Sequence, residues 1–305
     1  METFLEKLKR VISSERIWQN EPMKQHTTFR VGGPADYYVR PSIEEIQSII
    51  TLAKRENMPY TIIGNGSNLL VKDGGIRGLV IELGLEAGMV HLKEGNNHMI
   101  TAEAGVRLSA LAKVAANNSL TGLEFAAGIP GTVGGAVFMN AGAYGGEIKD
   151  VIVNATVLDE DGIVRCFSKE DLDLSYRHSA ISENGGIVLS ASFVLQEGNP
   201  DEILAKMADF SARRKEKQPL EFPSAGSTFK RPEGYFAGKL IQDAGLAGYR
   251  IGDAQVSEKH CGFVINRGNA TATEILQLIS DVQEKVQKEF GVKLETEVRI
   301  LGEDA

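Results

Sequence analysis

Two glycine-rich segments carry the clearest chemical possibilities in the sequence. Gly64-Asn65-Gly66-Ser67-Asn68 follows an apolar run, Tyr60 to Ile63. Glycine adopts positive φ readily, so successive backbone N–H groups can converge into a nest for an anion, and Ser67 and Asn68 add side-chain donors. A phosphate fits such a nest, and an ordinary tight turn would use the same residues. The dinucleotide fingerprint G-x-G-x-x-G is not present, because Leu69 stands where its third glycine would fall. The second segment is Gly128-Ile129-Pro130-Gly131-Thr132-Val133-Gly134-Gly135-Ala136, continued by Asn140-Ala141-Gly142-Ala143-Tyr144-Gly145-Gly146. No Lys-Ser or Lys-Thr pair closes it, so it is not a P-loop. Its small residues would let the backbone lie against a flat ligand. A pyrophosphate joined to an extended ring system suits two such loops, and a buried structural loop is the plainer alternative.

Charge supplies a second signal. The chain has 305 residues and a formal net charge of −8, which argues against a nucleic-acid partner, whose footprint is a basic surface. Within it, Arg213 to Lys239 holds Arg213, Arg214, Lys215, Lys217, Lys230, Arg231 and Lys239 against Glu216, Glu221 and Glu233, a local net of +4. That is a field for an anionic small molecule. A solvated helix face explains Lys215 and Lys217 equally well. The five histidines, His26 and His178 among them, are scattered without metal-ligand spacing, so no metal is expected. The two cysteines, Cys166 and Cys261, are read as reduced thiols. The start METFLEKLKR has mixed charge and no apolar core, and no stretch approaches a membrane span. The expectation is a cytoplasmic protein without membrane insertion.

These residues must be held by ordinary elements, and 42% hydrophobic with 24% charged residues supports a packed fold. Glu2 to Ile12 reads as an amphipathic helix. Ser42 with Glu45, and Thr271 with Glu274, read as capping boxes opening two more helices. Strands are expected at Asp36 to Arg40, Tyr60 to Ile63, Leu69 to Val71, Leu79 to Leu83, Met89 to Leu92 and His98 to Glu103. Further strands are expected at Val151 to Leu158, Ile163 to Phe167, Ile187 to Leu195, Gly262 to Asn266 and Val298 to Leu301. Leu108 to Ala116, Asp201 to Lys217 and Tyr235 to Ala244 read as helices, and Gly128 to Gly146 as one long loop. The class is α+β, with approximate divisions at 1–87, 88–200 and 201–297, and 298–305 returning to the first.

Taken in order, these segments resemble a known family. The segments are His26-Thr27-Thr28-Phe29-Arg30-Val31-Gly32-Gly33-Pro34-Ala35, the two glycine loops and Ser175-Tyr176-Arg177-His178-Ser179. They continue with Ala225-Gly226-Ser227-Thr228-Phe229-Lys230, His260-Cys261-Gly262-Phe263-Val264-Ile265-Asn266 and Leu294-Glu295-Thr296-Glu297-Val298-Arg299. Together they are similar to the UDP-N-acetylenolpyruvoylglucosamine reductases of bacterial peptidoglycan synthesis, on the FAD-binding fold of the vanillyl-alcohol oxidase (PCMH) type. The length resembles the family's shorter form, which lacks an inserted strand–helix–strand segment and its substrate-covering tyrosine.

The resemblance implies a two-subdomain FAD-binding fold followed by a C-terminal α+β substrate domain. It implies noncovalent FAD, NADPH as hydride donor and a nucleotide-sugar substrate; a monomer is expected. Flavin contacts are implied for Gly64, Asn65, Gly66, Ser67, Asn68, Gly128, Pro130, Gly131, Thr132, Gly134, Gly135, Asn140, Ala141, Gly142 and Ala143. Ser227 is implied as proton donor, with Arg177 and Glu297 stabilising the enolate. Their plain alternatives are a turn serine, a surface ion pair and a solvated edge-strand carboxylate. Substrate contacts are expected from Tyr176, Arg213, Lys230, Arg231, His260 and Arg299. Two other readings stay open: another flavin oxidoreductase of this fold, such as a sugar or alcohol oxidase, and a nucleotide-binding scaffold. The first would not need Arg177, Ser227 and Glu297 together, and the second would purify colourless.

Overall fold

The computed structural model describes residues 2–93 and 98–305. The chain divides into two compact units. One holds the residues up to Trp18, Tyr38–Asn65 and Gly78–Arg213, and the other Gln19–Tyr37, Gly66–Arg77 and Arg214–Ala305. The first glycine loop lies where the chain passes from one unit to the other, between Asn65 and Gly66.

The first unit is built on a five-stranded antiparallel sheet, in the order Val164–Ser168, Ile152–Leu158, Ile187–Val194, Met99–Glu103, Val90–Lys93. Asp159 to Gly162 makes a hairpin turn, with the Asp159 carboxylate accepting the Asp161 and Ile163 N–H groups at 3.0 and 2.8 Å. The central strand Ile187–Val194 is buried on both faces over most of its length, and the helix Val133–Met139 packs on it. That helix corrects the expectation of one continuous loop from Gly128 to Gly146. The rest of the stretch includes a short hairpin, Gly142–Ala143 with Gly146–Glu147. Helix Ile43–Arg55 buries Ile46, Ile49, Ile50, Leu52 and Ala53, the spacing of one helical face. Its start is fixed by Glu45, which reaches back to the Ser42 N–H at 2.8 Å. Strand Tyr60–Ile63 pairs in parallel with Leu79–Glu82. The first helix is shorter than expected, Phe4–Leu8, capped by Thr3 and Glu6.

The second unit packs helices Ala237–Asp243 and Ala272–Phe290 on a three-stranded meander, Arg250–Ile251, Ala254–Val256 and Val264–Asn266. Ile275, Leu278, Ile279, Val282 and Val286 form the buried stripe of the long helix. Each such side chain contributes about 1.5–3 kcal/mol by leaving water. Phe29, Val31 and Leu70 join the same core from the early parts of the chain. Leu69–Val71 pairs in parallel with Arg299–Leu301. The long helix begins at the expected Thr271–Glu274 box, but Asp73 caps it as well. The Asp73 Oδ1 accepts the Ala272 N–H at 2.8 Å, and its Oδ2 accepts the Thr273 N–H at 2.9 Å and hydroxyl at 2.7 Å.

Candidate active site

In the first unit, the second glycine segment is stitched to the turn that enters helix Leu108–Asn117. Leu108 N–H donates to Gly131 O at 3.0 Å, Val133 N–H to Val106 O at 2.8 Å and Gly134 N–H to Ala104 O at 2.9 Å. The first two amides of helix Val133–Met139 are therefore used within the protein. The Asn65 carboxamide donates to Pro130 O at 2.5 Å, tying the end of the Tyr60–Ile63 strand to the same segment. Glycine is required at Gly64 because a β-carbon there would lie 2.3 Å from the buried Thr132 hydroxyl. At Gly134 a β-carbon would crowd Ala104 at 2.9 Å, but at exposed Gly135 it would meet only Thr132 Oγ1, at 3.7 Å. The segment thus has a packed side and an open side.

Asn140 follows the helix in the left-handed region, φ 44°, and is fully buried. Asparagine tolerates that conformation better than most residues. Its Nδ2 donates to Glu147 Oε2 at 2.6 Å and to Ser175 O at 2.9 Å, while its Oδ1 accepts the Lys149 N–H at 2.9 Å. The carboxamide is committed to the protein, and it holds the Ser175–His178 turn. Arg177 in that turn has φ 55°, and its guanidinium lies over the Tyr176 ring at 5.1 Å. Tyr176 is 51% exposed. His178 bonds Glu183 at 2.9 Å and the Asp173 carbonyl at 3.1 Å, and its pKa is raised chiefly by the Glu183 bond. Tyr144, at φ 54°, stacks on Phe210 with centroids 4.5 Å apart and 8° between planes. Arg213 pairs with Asp209 one helical turn away at 2.8 Å on an exposed face, the ordinary setting for a solvated helix charge.

In the second unit, Gly66 has φ 60°, and a β-carbon there would fall 1.9 Å from His26 O. His26 itself is bonded to Glu21 at 2.8 Å. Ser227 is half-buried and follows Gly226, whose φ is 76°. From Thr228 to Lys230 the backbone runs antiparallel to Glu295 to Glu297, bridged at Phe229 and Thr296. Lys230 N–H donates to Glu295 O at 2.8 Å, and Glu297 N–H to Thr228 O at 2.8 Å. Thr228 is buried, donates its N–H to Gly262 O at 2.8 Å, and accepts the Val264 N–H on Oγ1 at 3.0 Å. Ser227 and Glu297 are thus referred to one buried residue that sequence reading passed over. The Asn68 Nδ2 donates to Glu297 O at 3.0 Å, and Asn68 O accepts the Arg299 N–H at 2.9 Å.

The remaining expected substrate contacts are dispersed over this unit. Lys230 lies 3.4 Å from Glu295, and the Arg231 guanidinium covers the exposed Phe236 ring at 4.1 Å. His260 accepts the Gly262 N–H on Nδ1 at 3.1 Å, which places a neutral ring's proton on Nε2, and meets Phe263 edge-on at 5.0 Å. Arg299 is an exposed residue at the start of its strand.

Comparison with known proteins agrees in both units. Residues 218–301 match the C-terminal domain of UDP-N-acetylenolpyruvoylglucosamine reductase, and residues 35–167 match an FAD binding domain. A UDP-N-acetylenolpyruvoylglucosamine reductase of Agathobacter rectalis is 59% identical over 99% of both chains. That of Lachnoclostridium phytofermentans is 56% identical over 98% of this chain and 97% of its own. The crystal structure of the reductase from Thermus caldophilus superposes with a TM-score of 0.78 at 39% identity, covering 92% of this chain and 97% of that one. A structure of alkyldihydroxyacetonephosphate synthase aligns with a TM-score of 0.50 at 17% identity over 64% of this chain and 40% of that one, a likeness of fold alone.

Proposed function

The chain belongs to the UDP-N-acetylenolpyruvoylglucosamine reductase family, and we propose that Ser227, Arg177 and Glu297 carry the proton and charge chemistry of that family's reaction in it. The protein is an FAD-dependent oxidoreductase that uses NADPH to reduce UDP-N-acetylglucosamine enolpyruvate to UDP-N-acetylmuramate, a step in peptidoglycan precursor synthesis. Its residues suit FAD on one observation. The backbone at Gly135 is open where a β-carbon would otherwise project, while the neighbouring residues are zipped to the protein behind it. Gly128 to Gly135 and the Gly64 to Asn68 loop would hold the cofactor by backbone approach. Bound there, FAD supplies hydride transfer from NADPH to the methylene carbon of the enol ether.

Addition at that carbon leaves a pair of electrons delocalised into the substrate carboxylate. Arg177 meets this charge with a planar guanidinium that remains protonated and matches a carboxylate through two N–H groups. Glu297 offers its carboxyl group to the same developing anion. The Ser227 hydroxyl gives its proton to the carbon beside the carboxylate, completing the lactyl ether. The observation that carries this reading is the 2.8 Å bond from Glu297 N–H to Thr228 O, which registers the acid against the serine segment. Lys230, Arg231, His260, Arg299 and Tyr176 contact the nucleotide sugar, and the enzyme works as a cytoplasmic monomer. Among the described residues no helix is long and apolar enough to cross a membrane.

An anaerobic absorbance experiment tests the reaction. NADPH should bleach the flavin of the purified protein, and the enolpyruvyl substrate should restore it rapidly. Bleaching without recovery would reject the substrate while keeping the cofactor. A protein that takes up no flavin would reject both.

A further inference from the structure

We infer that Asn68, beyond its place in the glycine loop, is the positioning residue that fixes Glu297 for the oxidative half of the reaction. The inference rests on the reading of Glu297 given above. Both peptide groups that flank Glu297 are anchored within the second unit. Its N–H goes to Thr228 O at 2.8 Å, and its C=O receives the Asn68 Nδ2 at 3.0 Å. Asn68 makes a second hold two residues on, where its own C=O accepts the Arg299 N–H at 2.9 Å. The parallel pairing of Leu69–Val71 with Arg299–Leu301 starts at that point.

A side chain's direction follows from the two peptide planes on either side of its Cα. Thr228 sets one of these planes for Glu297 through backbone alone, so no substitution can remove that bond selectively. Asn68 sets the other through a carboxamide, which can be removed. The strand pairing beyond it involves backbone only and survives the change. Without the carboxamide the Glu297–Val298 peptide keeps only the long bond from Val298 N–H to Thr228 O, 3.5 Å, and can tilt. The carboxylic acid then spends less time where the anion develops. Catalytic groups tolerate little such misplacement, because ångström-scale shifts of a supporting group reach the rate-limiting geometry. Flavin reduction by NADPH precedes the charge chemistry assigned to Glu297, so the two half-reactions can be read separately. The device links the cofactor loop to the acid through a single residue.

The test uses the FAD-loaded full chain. Asn68→Ala removes the donor, and the isosteric Asn68→Asp replaces it with an acceptor facing the Glu297 carbonyl. FAD content and the rate of reduction by NADPH are measured first in both variants, and reoxidation is then read on the FAD-bound protein alone. Reoxidation by the enolpyruvyl substrate should slow about 10–100-fold, as a kcat effect with KM little changed. The decisive readout is non-additivity. In a Glu297→Ala background, Asn68→Ala should slow reoxidation by no more than about twofold. An undiminished effect in that background overturns the inference, as does reoxidation within threefold of the parent in both single variants. Loss of FAD from both variants also overturns it, since Asn68 would then serve the cofactor alone. Near-normal turnover in Glu297→Ala by itself would instead strike the prior reading of Glu297, a distinct outcome.

Discussion

The carbonyl of Thr228 accepts the N–H of Glu297 at 2.8 Å, which sets the residue after Ser227 directly against the candidate acid. The two segments come from distant parts of the sequence and are bridged again at Phe229 and Thr296. Because this contact is backbone to backbone, changes to the Ser227 side chain should leave it intact. Ser227→Ala is therefore expected to keep its flavin and its reduction by NADPH while reoxidation by substrate falls about 10²–10⁴-fold. Stopped-flow absorbance separates the two half-reactions. Near-normal reoxidation in this variant would remove Ser227 as proton donor.

The open and packed sides of the second glycine segment predict opposite phenotypes for two glycines. Gly135→Val places its side chain in open space and should leave the flavin-free protein folded, with weaker FAD affinity by about tenfold or more. Gly64→Ala drives a β-carbon into the Thr132 hydroxyl, 2.3 Å away. It should cost about 1–3 kcal/mol of stability whether or not FAD is present. Denaturant titration and flavin binding on the two proteins check the contrast. Equal flavin affinity in Gly135→Val and the parent would place the cofactor elsewhere.

Asn140 offers a test of how the Arg177 turn is held. Asn140→Asp keeps shape and tolerates the left-handed backbone. It turns two donations, to Glu147 Oε2 and Ser175 O, into a carboxylate facing acceptors. A buried carboxylate that keeps the Lys149 N–H but faces two acceptors is expensive, and the loss should reach about 3 kcal/mol at neutral pH. It should shrink as the pH is lowered and the introduced carboxylate takes up a proton. Stability that does not depend on pH in this variant would contradict the assignment of those bonds.

Asp73 gives the protein an acid-sensitive clasp. Burial acts to raise its pKa, but the Ala272 N–H and the Thr273 hydroxyl and N–H outweigh burial and hold it below the usual aspartate value. A folded-state pKa below the unfolded one adds stability that is complete above the unfolded value, about 3.9. That stability is lost as the pH falls through the lower folded value. Asp73→Asn turns an NH2 group toward the Thr273 N–H in place of Oδ2 and should remove about 1–3 kcal/mol at pH 7. It should also flatten the stability profile between about pH 5 and the acid limit. Urea midpoints measured across that range decide it, and parallel profiles for the two proteins would dismiss the clasp.

What could be read from the sequence was what is local. Thr271 with Glu274 and Ser42 with Glu45 announced their helices because a capping box needs only neighbours. The glycine loops, Ser227, Arg177 and Glu297 were legible as residues of a family pattern. Helix Val133–Met139 was hidden by Gly134 and Gly135, poor helix formers, and owes its start to Val106 and Ala104 carbonyls outside it. Strand Ile17–Pro22 was missed because Gln19, Asn20 and Glu21 break the apolar alternation that marks a strand. The cap from Asp73 to Ala272 spans 199 residues and leaves no local trace. The same holds for Thr228, whose importance lies in its bonds to Gly262, Val264, Glu297 and Val298.

The parallel pairing of Leu69–Val71 with Arg299–Leu301 also sets an order of events during synthesis. The early strand leaves the ribosome long before its mate exists, and Phe29, Val31 and Leu70 belong to a core whose main helix is made near the end. A nascent chain must therefore carry these apolar residues unsatisfied through most of translation, as contacts of such long sequence separation close late. Removing the chain from Arg299 onward would strip the early strand of its partner, and a fragment starting at Arg214 would lack part of its own interior.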